Sequence, residues 1–178
     1  VYTNVICAYM HTGGDKSPAM TAMEKSVSIL SESEKTILYS FASFPEYFCV
    51  DWFPDIQPSK LLSVVQWLEQ NQWIERHQEG PGYYTWTPKC PRTELTVLIP
   101  PQDAAFYHRL AVGILLEHTA QDDKHTLMIA RLCLMAGLQE DDLDIIMKAA
   151  QVEEKRHRIA SAFSFYDSIL EYMETIPA

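Results

Sequence analysis

The sequence predicts a mainly α-helical chain interrupted by one β-hairpin, and three observations predict it. Apolar residues recur at three- and four-residue spacing over most of the chain after Ala19. Between Trp73 and Trp86 that period breaks, and two aromatic-rich runs flank the turn residues Gly80-Pro81-Gly82. Pro100-Pro101 then divides this mixed part from a tail that reads as helical throughout.

In chain order, Ala19 to Leu30 is a short helix with Met20, Met23, Val27 and Leu30 on one face. Ser31-Glu32-Ser33-Glu34 places a Glu three residues after a Ser, so each side chain can satisfy a backbone donor orphaned at a helix start. Ile37, Leu38 and Phe41 continue that helix until Phe44-Pro45 breaks it. A second short helix fits Val50 to Ile56. Pro58-Ser59-Lys60 opens a third, with Leu61, Leu62, Val65 and Leu68 inward and Gln66, Glu69 and Gln70 outward. Trp73 to His77 and Tyr83 to Trp86 are strands joined by the five-residue loop Gln78–Gly82. Three helices followed by a hairpin is the order of a winged helix, expected over residues 19–99, with the third helix in the recognition position and the hairpin as its wing.

The tail, residues 100–178, is expected to form antiparallel, tetratricopeptide-like helical hairpins. Gln102 to His118 sets Phe106, Leu110 and Ile114 at four-residue steps. Asp123 to Ala136 carries Leu127, Ala130 and Leu134 and stops at Gly137. Asp142 to Ala150 aligns Leu143, Ile146, Met147 and Ala150, and the last helix aligns Ala162, Phe165, Tyr166, Ile169, Leu170 and Met173. Ala162-x-x-x-Tyr166-x-x-Ile169-Leu170 has the pattern of the second helix of a tetratricopeptide repeat, and an ordinary helical bundle remains the open alternative. Residues 1–18 read as a leader, the end of an upstream module, in a chain cut from a longer protein.

With 178 residues, 47 % of them hydrophobic, the chain can bury a real core. A net charge of −10 argues against a polyanionic partner, because affinity for nucleic acid comes mainly from Lys and Arg on phosphates. The bias is also local. Lys35, Lys60, Arg76, Lys89 and Arg92 face nine carboxylates between Ser31 and Ile99, a balance of −4. Cys7, Cys49, Cys90 and Cys133 lie far apart without C-x-x-C or His partners, so they read as reduced, mostly buried thiols of a cytoplasmic protein. Apolar neighbours such as Phe48 and Val50 leave Cys49 inert. No apolar run is long enough to span a membrane, and no charged-then-apolar segment at the start of the given residues resembles a secretory signal.

Catalytic, cofactor and metal motifs are not found. Gly13-Gly14-Asp15-Lys16-Ser17 lacks the spacing of a phosphate loop, and none of the six histidines forms a helical metal-binding pair. Glu140-Asp141-Asp142 reads as a helix start, Asp141 or Asp142 being its cap. Glu153 to Arg158 reads as a solvated face or a turn between the last two helices. Trp52, Trp67, Trp73 and Trp86 read as packing residues rather than a platform for bases.

The order of capped helix, recognition-like helix, Gly-rich hairpin and Pro-rich turn leads to Pro100-Pro101-Gln102-Asp103 and then Phe106-Tyr107-His108-Arg109-Leu110-Ala111. With Ala136-Gly137 before an acidic helix start, it resembles a segment of the bacterial STAND class of AAA-type signalling ATPases and transcriptional regulators. The resemblance implies a winged helix that folds back on a nucleotide-binding module, and a helical tail that receives an inducer or a partner protein over Asp123 to Met173. Where the family places a histidine after the second wing strand, this chain has Thr87-Pro88, so the resemblance does not extend to nucleotide sensing by this segment.

The expected function is therefore that of a non-enzymatic regulatory and protein-interaction segment. Its partner is a protein or another module of its own chain, bound in the region of Arg131, Lys155, Arg156, Arg158 and Tyr166. The alternative is a DNA-binding regulator that reads a site with the helix 58–70 and the wing, through Lys60, Ser63, Gln66, Arg76, Lys89 and Arg92. No cofactor is expected under either reading.

Overall fold

A computed structural model describes residues 18–90, 92–120 and 122–176, and the architecture is mainly helical with one small antiparallel sheet. The expected leader lies outside the described residues except for Pro18, and Cys7 and Gly13-Gly14-Asp15 lie outside them as well.

Helix α1 (Pro18–Ser28) buries Met23 and Val27, and Leu30 follows them into the core. Helix α2 (Glu32–Ala42) starts at the expected capping box: Ser31 N–H donates to Glu34 Oε2 at 2.9 Å, while the Ser31 hydroxyl accepts from Glu34 N–H. The Ser63 hydroxyl of the third helix also donates to Glu34 Oε1, at 2.7 Å. These bonds hold the Glu34 carboxyl down from its ordinary 4.5 to about 2. A carboxylate so depressed contributes stability that is present above about pH 4.5 and lost as the pH falls toward 2. Water screens this half-buried group, so Glu34→Ala is expected to cost about 1 kcal/mol at pH 7. Urea unfolding at pH 7 and pH 2 measures this, and a gap of the same size at both would refute the assignment.

Strand β1 (Tyr47–Cys49) was not expected from the sequence. All three of its residues are buried, so the alternation that advertises a strand is missing. The expected helix Val50 to Ile56 is only a 3-10 turn, Val50–Trp52. Phe53 precedes Pro54, and the proline drives Phe53 out of the helical region, to φ −123 and ψ 59. Helix α3 (Pro58–Gln70) buries Leu61, Val64, Val65 and Leu68; Leu62, expected on that face, points outward and Val64 takes its place. Strands β2 (Ile74–Arg76) and β3 (Tyr83–Trp86) complete a sheet of order β1-β3-β2, in which Phe48 faces Tyr84 and Arg76 faces Tyr84 on the other side. Gly82 sits at φ +84, and a Cβ there would lie 3.3 Å from Val50 Cγ2, so both conformation and space require glycine.

Helix α4 (Arg92–Val97) leads into α5 (Pro101–His118), where proline again occupies the first turn. The buried row of α5 is Tyr107, Ala111 and Leu115 with Val112. The expected row of Phe106, Leu110 and Ile114 is rotated by one residue: Phe106 is exposed, and Leu110 and Ile114 are half-buried. Small Ala111 lies at the packed face because α5 is clasped between α2 and α6. Helix α6 (Asp123–Ala136) is capped by Asp122, ends at Gly137 with φ +83, and is buried on nearly every side. Helices α7 (Leu143–Lys155) and α8 (Ile159–Thr175) follow, each packed on the one before it. One hydrophobic cluster runs from Met23 to Phe165, on both sides of Pro100-Pro101.

Of the run read as a solvated face or a turn between the last two helices, residues 154–158 are exposed and 156–158 lie between those helices, but Glu153 is a correction, since its relative exposure is 0 %. It continues the inward row of Ile146, Ala149 and Ala150, which a count of charges along the sequence overlooks. Among the described residues neither carboxylate oxygen has a hydrogen-bond partner, and Arg158 Nη1 stands 3.8 Å away. Replacing a poorly paired buried charge by an apolar side chain of similar length removes its desolvation cost. Glu153→Met is expected to raise the unfolding free energy by about 1 to 2 kcal/mol; a loss of stability in urea would show that the carboxylate is paired in solution.

Candidate functional site

The polar chemistry of the molecule gathers at the seam between the sheet and the amino-terminal end of α6. Asp122 caps that helix by accepting from His125 N–H at 2.8 Å, and its Oδ1 also meets His125 Nδ1 at 2.9 Å. A carboxylate can only accept, so Nδ1 carries a proton, and in the neutral ring Nε2 accepts from the Tyr47 hydroxyl at 2.8 Å. The Tyr47 ring stacks on His77 at 4.9 Å. Beside it, Lys124 pairs with Glu46 at 2.5 Å and lies 5.7 Å from the Tyr47 ring centre. The pairs Tyr47–His125 and Glu46–Lys124 thus join β1 and the residue before it to a helix about eighty residues further along the chain.

An Asp–His–hydroxyl relay is also the arrangement that activates nucleophiles. Here the hydroxyl belongs to a buried tyrosine, and burial, with Glu79, Tyr83, Glu46 and Asp122 nearby, pushes it up to about 12. It stays protonated at neutral pH, and Tyr47 is only 3 % exposed. The relay works as a joint. No sequence signal marked the Tyr47–His125 pair; only the cap at Asp122 is a local pattern.

A second joint lies at the other end of α6. Arg109 of α5 grips Asp142 with Nη1 at 2.7 and 2.9 Å and donates from Nη2 to the Gly137 carbonyl at 2.5 Å. Asp142 also accepts from Gln139 N–H at 2.9 Å, closing the turn between α6 and α7. Burial pushes the Asp142 carboxyl up, but the guanidinium, the Gln139 N–H and the Cys133 thiol together hold it below the usual carboxylate range. Burial in turn pushes Cys133 and Cys90 up to about 12 and raises Cys49, and all three are free thiols.

The six residues named for DNA have different surroundings. Lys60 lines a shallow groove of about 390 Å³ between α2 and the start of α3, with Thr36, Asp55 and Ile56. Lys89 lines another, of about 440 Å³, with Glu69, Glu75 and Thr87, where it donates to Gln72 Oε1. Lys60 and Glu69 are nine residues apart on α3, about 13 Å along its axis. Ser63 is engaged by Glu34, while Gln66 and Arg76 are exposed. Arg92 is half-buried, and its Nε has no hydrogen-bond partner among the described residues.

Of the residues named for a partner, Arg131 and Lys155 are exposed, Arg156 lies 3.6 Å from Asp123, and Arg158 approaches Glu153. Tyr166 is half-buried, beside Glu154. Among the described residues no group of three or more His, Cys, Asp or Glu side chains is arranged to hold a metal ion. No helix among them is long and apolar enough to cross a membrane. Compared with known proteins, the chain matches no family model, no curated protein and no solved structure.

Proposed function

We propose that residues 19–99 form a winged helix joined to tetratricopeptide-like hairpins over 100–178. On this reading the chain is a regulatory and protein–protein interaction segment of a larger protein. The particular parent we propose is a cytoplasmic STAND-class signalling ATPase or transcriptional regulator. The observation that supports this best is the order helix, helix, strand, turn, helix, strand, strand, helix from α1 to α4, with sheet order β1-β3-β2, packed in one core with the four helices α5 to α8. A ligand or partner would act by stabilising one packed arrangement over another, through joints such as Tyr47–His125.

Sequencing the reading frame on both sides of these residues tests the proposal. A G-x-x-x-x-G-K-S/T loop upstream is expected, and a full frame with no nucleotide-binding or effector module would remove the basis for the parent we propose.

One observation favours the DNA-binding alternative: α3 presents Ser59, Gln66 and Gln70 outward. The charge of −10 weighs against it. Titration with labelled mixed-sequence duplex at low salt is expected to show no binding up to tens of micromolar, roughly the range where nonspecific binders begin to associate. Saturation at or below that range would make the alternative the better reading.

A further inference from the structure

Helix α8 carries an apolar row that the other described residues leave open. Ile159, Phe163, Leu170 and Met173 are 51, 60, 61 and 55 % exposed, and Tyr166, between them, is half-buried. Their spacing of four, three, four and three residues is a heptad pattern, which keeps all five on one line along the helix. A different line, Ala162, Phe165 and Ile169, packs toward α7. At 100° per residue, Asp167 and Glu174 border the open row on the side away from α7, with Glu171 one row further out. Helix α8 contains no Lys, Arg or His.

We infer that this row is the seat of an amphipathic helix supplied by a partner protein, with apolar residues at heptad spacing and Lys or Arg along the edge that meets Asp167, Glu171 and Glu174. The inference deepens the interaction role proposed above and rests on it for the existence of a partner. Charge chooses this occupant over a second copy of the chain. The open row offers on the order of 500 Å² of apolar surface, a large patch for a monomer. Pairing α8 with itself sets acids against acids, whereas basic flanks complement them. A helix laid into a groove is a common mode of recognition, with anchors at this spacing.

The test uses the full chain and two fluorescent amphipathic peptides with Leu at the heptad core positions, one flanked by Lys and the other by Glu. Anisotropy titration is expected to show saturable binding of the Lys-flanked peptide and at least about tenfold weaker binding of the Glu-flanked one. Phe163→Glu and Leu170→Glu alter exposed side chains, so circular dichroism should be unchanged while Lys-peptide binding falls about tenfold or more. Asp167→Lys with Glu174→Lys should reverse the preference between the peptides. Failure of the Lys-flanked peptide to bind, equal binding of both peptides, or no effect of Phe163→Glu overturns the inference. So does sedimentation that shows a dimer of the chain dissociated by Phe163→Glu, since a second copy would then hold the seat. None of these outcomes touches the flanking reading frame, so failure here and failure of the proposed parent are separate results.

Discussion

Replacing Arg109 by alanine is expected to lower the unfolding free energy by about 3 kcal/mol at pH 7, among the larger effects a single side chain can have. The Asp142 side chain is only 7 % exposed, and Arg109 supplies its sole charged partner among the described residues. Without the guanidinium, a buried carboxylate is left with the Gln139 N–H and a thiol, and the Gly137 carbonyl loses its donor. The Asp142 carboxyl lies below its ordinary range in the fold, so the pair's contribution is present above the unfolded value and fades as the pH falls through the folded one. Urea denaturation of both proteins from pH 7 downward should therefore show the gap closing in acid. Arg109→Met combined with Asp142→Asn removes both charges and should recover more than half of the loss. A double variant as unstable as Arg109→Ala would mean that the arginine stem, not its charge, matters here.

Phe41→Ala is expected to cost about 4 kcal/mol, the cost of a cavity in a core that cannot collapse to fill it. Phe41 is fully buried, stacked on Phe48 with ring centres 4.2 Å apart, and met edge-on by Phe53 at 5.2 Å. Phe41→Leu keeps most of the volume and should cost about 1 to 2 kcal/mol. Because Phe48 lies on β1, amide exchange in Phe41→Ala should rise more in the β1–β3 pairs than in α7 and α8. A uniform rise would show that the two regions open only together.

Local punctuation carried most of the fold in the sequence. The Ser31–Glu34 box, Pro58, Pro101 and Gly137 act within three or four residues, and each element begins or ends where they stand. What was not legible depends on neighbours distant in sequence. A short strand such as β1, buried on both faces, has no alternation to read, and the one-residue rotation of α5 follows from being packed on two sides at once. Glu153 misled for the converse reason, a charge run being a poor guide to which row of a helix faces in. The seam at Tyr47 and His125 joins residues 78 positions apart, and the open row on α8 shares its helix with the buried one, so only exposure separates them.

Among the described residues the three-stranded sheet has two unpaired edges, and neither invites another chain. On one side β1 is three residues long, buried throughout, turned away at once by Val50–Trp52 and covered where Tyr47 meets His125. On the other, β2 is equally short and sets Glu75 and Arg76 in water. A strand seeking to extend the sheet finds a closed seam or a pair of charges, so the same joint that ties the sheet to the tail also guards the protein against edge-to-edge aggregation.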